Sequence, residues 1–246
     1  MEWQAVDWFM KTYLAKLLFC FFLAIVSAGA HAQGTFVNRN FESANLVNPP
    51  APAFPTLVAF NDAFPGWTGY AGTNQLTQAW NNGVSGGAAL ITLVTPNTAT
   101  GGGYFGSSNS VISGTFTAVL AAGIGSSGAV SVSLAQNGLF PADAQSLLFS
   151  LGDLSVINDL SISFNGQQLP FYVLSGGPNY NVYGADISAF AGQSGELRFT
   201  ANPFTTPFSK AYLDDIFFSN QPIPEPSALS LLAAGALLLC WRLRRT

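Results

Sequence analysis

Three kinds of side chain in this sequence could do chemistry, and their spacing limits what that chemistry is. Acids come first: Asp214 and Asp215 stand side by side late in the chain, Glu42 lies far upstream, and Asp153 and Asp159 are near one another. Aromatics set among amides come second. Trp67, Tyr70 and Trp80 fall within a stretch that also holds Asn74, Gln75, Gln78, Asn81 and Asn82, while Tyr172, Tyr180 and Tyr183 accompany Asn179 and Asn181. Such rings hold sugars by apolar contact, with amides and acids bonding the hydroxyls around them. The candidate sugar-binding rings are Trp80, Tyr180 and Trp67, with core packing as the competing role and Trp67 the most drawn to it. Third is the run Gly101-Gly102-Gly103 before Tyr104 and Phe105. It lacks the Gly-Lys-Ser/Thr ending and the strand-to-helix setting of a phosphate loop, and reads as a surface loop.

What the middle of the chain lacks is as informative. The single histidine, His31, and the cysteines Cys20 and Cys240 all fall in end segments described below. The stretch from Gln33 to Gln221 therefore has no disulfide, no usual zinc ligand, and no His- or Cys-based nucleophile. It holds nine acids against Arg39, Arg198 and Lys210, for a formal charge near −6. Three scattered cations make no basic face, so nucleic acid is excluded as a partner. A glycosidase would need two carboxylates facing across a cleft. Asp153 and Asp159 are separated by a turn-like Ser155-Val156-Ile157-Asn158 and read as turn residues. The sequence thus predicts a non-catalytic protein, with a secreted carbohydrate-active enzyme or a passive structural or adhesive module as alternatives.

These residues are carried by three segments. In the first, residues 1–32, Lys11 and Lys16 precede the apolar run Leu17 to Val26, and Ala30-His31-Ala32 supplies the small-x-small pattern cut by signal peptidase. The run is shorter than the roughly 20 residues of a membrane span, which predicts a removed signal peptide. Met10 opens a more ordinary leader than Met1, because Glu2 and Asp7 are unusual in a basic leader. In the last segment, residues 222–246, three prolines in Pro222-Ile223-Pro224-Glu225-Pro226 keep the chain extended. An apolar run from Ser227 to Trp241 follows, predicted as a transmembrane helix, and then Arg242, Arg244 and Arg245, which hold that end in the cytoplasm.

Extended handle, apolar run and arginine stop, in that order, resemble the PEP-CTERM sorting signal of exopolysaccharide-producing Gram-negative bacteria. Pro224-Glu225-Pro226 is its namesake motif. The resemblance implies an exosortase as partner, cutting near the motif. It also implies export through the inner membrane to the cell surface or matrix, with transient anchoring by the C-terminal helix. A plain single-pass anchor would leave the prolines accidental, and a GPI-type tail would end in apolar residues rather than arginines.

Residues 33–221 read as all-β: short runs of β-prone residues between Gly, Ser, Asn and Pro, with no long helical period. Predicted strands are 35–41, 88–94, 113–120, 129–134, 145–151, 159–164, 168–174, 196–200 and 211–219, with a helical turn within 184–193. The alternation Leu160-Ser161-Ile162-Ser163-Phe164 followed by Asn165-Gly166 predicts a hairpin. Many short strands predict a two-sheet antiparallel β-sandwich or jelly roll. Three runs are similar to the galactose-binding-like jelly rolls of carbohydrate-binding modules: Val37-Asn38-Arg39-Asn40-Phe41-Glu42, Pro65-Gly66-Trp67, and Tyr212-Leu213-Asp214-Asp215-Ile216-Phe217-Phe218. That resemblance implies exopolysaccharide as a ligand class and puts the first and last strands together. It also implies a structural calcium ion held there by Glu42 with Asp214 or Asp215 and backbone carbonyls. The competing role for these acids is to solvate a strand edge, or for Glu42 to pair with Arg39 or Lys210.

Overall fold

Alternation with a period of two sets the architecture. In β10 (Leu160–Phe164), Leu160, Ile162 and Phe164 are buried and the two serines between them are not, so one face is core and the other is wet. Asn165 and Gly166 follow at φ 50° and 79°, the left-handed pair that a two-residue hairpin needs. They turn the chain into β11 (Gln167–Gln168), which pairs back on Ser163 and Phe164. The computed structural model describes residues 34–46, 56–83, 88–95, 111–125, 128–152, 159–203 and 209–223. All of them belong to the unit running from Ala32 to Thr246.

Among the described residues the strands form two sheets. The larger runs in the order β1 (Thr56–Ala59), β4 (Gln78–Asn81), β5 (Leu90–Val94), β6 (Thr117–Gly125), β15 (Ser209–Ser219), β9 (Ser146–Gly152), β13 (Tyr180–Asp186), β12 (Phe171–Gly176), with β7 (Gly128–Val130) paired to β6. The smaller runs β11, β10, β14 (Ser194–Ala201), β8 (Val132–Leu139), β2 (Thr68–Ala71), β3 (Asn74–Gln75). Their inward faces make a sandwich, as the alternation predicts. Pairing is antiparallel apart from β4 and β5, which run parallel.

The core between the sheets is built on phenylalanine. Phe140 stacks on Phe164 of the smaller sheet at 4.3 Å and meets Phe218 of the larger at 5.1 Å. Phe149 of the larger sheet meets Phe199 of the smaller at 5.6 Å. Each such buried ring removes about 150–250 Å² from water, which supplies the stability that a domain without disulfides must find in burial.

Two predicted strands are corrected. Residues 35–41 form an irregular segment: Asn38 and Phe41 adopt φ 47° and 59°, left-handed values outside the β region that regular strand needs. The run predicted as 113–120 becomes strand only at Thr117, because residues 113–116 make side-chain contacts described below. The predicted helical turn is a 3-10 turn at Ser188–Phe190, with Asp186 Oδ1 accepting from Ser188 N at 2.9 Å.

Candidate functional site

The last strand carries the acids, and a bulge aims them. Along β15, Ala211 and Leu213 point into the core, and after Asp215 the buried positions are Ile216 and Phe218. The parity of the strand shifts by one residue, matching the break in its pairing with β9 between Asp214 and Phe217. Asp215 is the extra residue, at φ 48°, in the manner of a β-bulge that redirects neighbouring side chains. Beyond the bulge Ile216 N donates to Arg39 O at 3.0 Å. The N-terminal segment thus lies against the last strand, bringing Glu42 within electrostatic reach of Asp215.

What these carboxylates hold is a strap of chain, residues 111–116, laid over the outer face of the larger sheet. Asp214 is wholly buried; its Oδ2 accepts from Thr117 Oγ1 at 2.7 Å and Ser113 N at 3.3 Å, and its Oδ1 accepts from Asp215 N at 2.8 Å. Glu42 Oε1 accepts from Thr115 N at 2.8 Å and Phe116 N at 2.9 Å. At the other end Asn179 Nδ2 donates to Val111 O at 3.2 Å. Gly114 lets the strap turn at φ 60°, and a Cβ there would stand 2.5 Å from Glu42 Oε1. Only glycine meets both demands.

Electrostatics set this cluster apart. Burial pushes Asp214 up to about 8 from 3.8, against the opposing hydrogen bonds from Thr117 and from the backbone of Asp215 and Ser113. Asp215 is raised as well, by burial first and by the negative charge of Glu42, with a Ser113 hydrogen bond opposing. Arg39, the nearest base in sequence, lies with its guanidinium carbon 5.4 Å from the Phe218 ring centre. Among the described residues no three His, Cys, Asp or Glu side chains gather as a metal-ligand group. Glu42 and Asp215 are within electrostatic reach of each other, while both oxygens of Asp214 already accept from the protein.

The three candidate rings have separate fates. Trp67 is 4% exposed, packs against Phe41 and Phe199, and donates its Nε1 hydrogen to Asn38 O at 2.9 Å. It presents no face to a sugar, which corrects its place among the candidates. Trp80 and Tyr180 are half-buried and lie in one cross-strand row on the outer face of the larger sheet, Trp80–Thr92–Val119–Tyr212–Gly152–Tyr180. Five strand spacings separate them, about 24 Å. Val111 packs on the small outer cluster of Leu90, Val94, Val119 and Ala121 together with Trp80 and Tyr212, and Ile112 lies over Gly152. The strap therefore roofs the middle of the row and leaves a ring at either end.

Several participants escaped sequence reasoning. Ser113, Thr115 and Thr117 read as ordinary strand residues, since small hydroxyl residues carry no sign of their partner. Gly114 was the one visible signal, a glycine inside a strand-like run, which often marks a bulge or close approach. The smaller sheet adds a further arrangement: Arg198 bonds Glu196 Oε1 at 2.8 Å and Ser133 Oγ at 2.8 Å and lies 4.4 Å above the Tyr70 ring. The Glu196 bond raises the Arg198 pKa. Ala30, Ala32, Asp153, Pro224, Glu225, Pro226, Arg242, Arg244 and Arg245 lie outside the described residues. Among those described, no helix is long and apolar enough to cross a membrane.

Fold and site together define a two-sheet sandwich in which Glu42 and Asp214 accept hydrogen bonds from the backbone of the strap. Residues 222–245 match the family described as the PEP-CTERM protein-sorting motif, which implies an exported protein brought to the cell surface by an exosortase. No curated protein sequence matches the chain. Solved structures with a distant likeness include the K1 cleaved adhesin domain of Lys-gingipain from Porphyromonas gingivalis W83. It is 11% identical over 70% of this chain and 100% of that one, with a TM-score of 0.37. Another is the apo form of a cyclase from Fischerella sp., 15% identical over 80% of this chain and 100% of that one, TM-score 0.39. At such values neither likeness bears on function.

Proposed function

We propose that the chain is a non-catalytic surface module, sorted by an exosortase, whose sandwich engages exopolysaccharide or a similar polyhydroxylated surface polymer. The observation that carries the sorting half is the match at residues 222–245, directly after a sandwich whose last strand ends at Ser219. The non-catalytic half is supported by the use of Asp214 as an acceptor through both oxygens and of Glu42 through Oε1, which ties these acids to the fold. Polymer binding is supported by Trp80 and Tyr180 at the two ends of one row: rings about 24 Å apart suit an extended chain rather than a single sugar. The test has two parts. Sequencing the C-terminal peptide of surface-recovered protein should show loss of everything beyond the Pro-Glu-Pro region; an intact Arg244-Arg245-Thr246 end overturns sorting. Co-sedimentation with exopolysaccharide should retain the protein, with weaker retention of Trp80→Ala and Tyr180→Ala; no retention overturns polymer binding.

A second reading, a calcium ion at the acidic junction, is favoured by the like charges of Glu42 and Asp215 in reach of each other. These two, with backbone carbonyls, would be its ligands, and Asp214 would lend charge from behind. A bound cation would supply countercharge to the cluster and nothing catalytic. Calcium should raise the melting temperature of the protein and chelator should reverse it; no shift overturns the site.

A further inference from the structure

The sorting motif does not begin in free chain. Its second residue, Ile223, is still seated on the sandwich, while Pro222 before it is exposed. After β15 ends, Ser146 Oγ donates to Gln221 O at 2.8 Å, and Gln221 N donates to Ser219 Oγ at 3.0 Å. Ile223 then lies over Gly184 in the middle of β13. A Cβ on Gly184 would stand 2.7 Å from Ile223 Cδ1, 2.7 Å from Leu174 Cδ1 and 3.0 Å from Leu148 Cδ2. The backbone of Gly184 is thus the floor of a seat, Leu148 and Leu174 are its walls, and Ile223 fills it. Leu174 stands on the edge strand β12, where an apolar side chain is a liability unless something covers it. Ile223 covers part of it, and Leu174 remains 39% accessible with Ile223 in place.

Between Ile223 and the apolar run that starts at Ser227 there are only Pro224, Glu225 and Pro226. Fully extended, three residues reach about 10 Å, so a seated Ile223 limits how far the start of the apolar run can stand from the sandwich. A protease needs extended, accessible chain around its target bond, and cleavage of a segment that opens and recloses follows the population of the open form.

We propose that the Leu148–Leu174–Gly184 seat docks the start of the sorting motif and that the exosortase processes the undocked form, so occupancy of the seat sets the rate of processing. Ile223, Leu174 and Gly184 are positioning residues for that step. The inference rests on the sorting reading above, and the experiment separates the two.

Full-length protein is followed in the producing cells by pulse-chase, with the C-terminal peptide identified by mass. Leu174→Ser leaves the motif untouched and weakens the seat from the sheet side. Gly184→Ala raises the floor and crowds Ile223, Ile223→Ser removes the occupant, and Ile223→Leu keeps an apolar one. Losing a half-buried apolar contact should free the handle by roughly fivefold. The expected result is processing roughly fivefold faster for Leu174→Ser, Gly184→Ala and Ile223→Ser, and near wild type for Ile223→Leu. The purified, processed Leu174→Ser, Ile223→Ser and Ile223→Leu proteins should melt within a few degrees of wild type, as expected of changes at the surface, and the melting of Gly184→Ala, a buried position, is measured beside them. Processing of wild type with no acceleration in Leu174→Ser and Gly184→Ala overturns the seat while leaving sorting intact. A wild-type protein that keeps Arg244-Arg245-Thr246 overturns sorting, and the seat with it.

Discussion

Raising the pH through neutrality should lower the stability of the cation-free protein, and replacing Asp214 by asparagine should remove most of that dependence. Burial lifts this carboxyl to about 8 from 3.8, so across that window the folded protein keeps a proton that the unfolded chain has released. An acid displaced upward favours folding fully below its unfolded pKa and loses that contribution as the pH climbs through the window. One proton corresponds to about 1.4 kcal/mol per pH unit. Going from about pH 5.5 to about pH 7.5 therefore costs about 2–3 kcal/mol, or about 5–10 °C in Tm for a domain of this size. Asp215, raised in the same direction, adds to the slope. Asparagine keeps the shape but cannot accept at both positions, so its amide nitrogen must face a donor: Asp215 N–H, or the Ser113 N–H and Thr117 hydroxyl. That mismatch costs about 1–2 kcal/mol at any pH. Melting temperatures of wild type and Asp214→Asn, measured by circular dichroism in chelator over a pH series, should converge as the pH rises. Curves that stay parallel would show that Asp214 carries no such displacement and would refute the reasoning.

The remaining expectations concern the strap, the junction and the core. At about pH 7.5, added calcium should raise the Tm of wild type, and Glu42→Gln should abolish the rise; calorimetry with equal shifts in both proteins would remove Glu42 from the site. Gly114→Ala should destabilise by about 1–3 kcal/mol, because it combines a left-handed φ with a collision at Glu42. It should also open residues 111–116 to limited proteolysis, and an uncut strap in the variant would contradict the anchoring role. Trp67→Phe should cost about 2 kcal/mol through its lost bond to Asn38 O and lost volume, with retention by exopolysaccharide unchanged. Phe140→Ala should cost about 3–5 kcal/mol by denaturant titration, since this ring meets three others between the sheets.

The fold was legible wherever a strand has one wet and one dry face. β10 shows its alternation and its Asn165-Gly166 turn openly, and β9, β14 and β15 can be read from their apolar residues. β1, β2, β4 and β13 went unseen for a physical reason: they lack a clear alternation of apolar and polar residues, as in Gln78-Ala79-Trp80-Asn81, where the core residue is the small Ala79 and the large ring faces out. The acidic junction was legible as residue types, since Glu42, Asp214 and Asp215 do come together beside β15. Its partners were not. A backbone N–H leaves no trace in sequence, and the bulge at Asp215, which decides where both aspartates point, follows from pairing across strands rather than from local preference. Trp67 and Trp80 illustrate the limit for aromatics: both sit among polar neighbours, yet the Pro65-Gly66 turn sends one ring into the core while the other stays on an outer face.

The position of β15 also dictates an order of events during synthesis and export. The strand sits in the centre of the larger sheet, between β6 and β9, and it meets the N-terminal segment through Ile216 and Arg39. It is also the last strand before the sorting motif. The larger sheet therefore stays split until nearly the whole domain has crossed, and contacts of such long sequence separation make closure slow. Until then the apolar faces of β6 and β9 are exposed to aggregation or to a holding chaperone. The chain emerges as two half-sheets awaiting a keystone, and the keystone arrives attached to the segment that fixes its address.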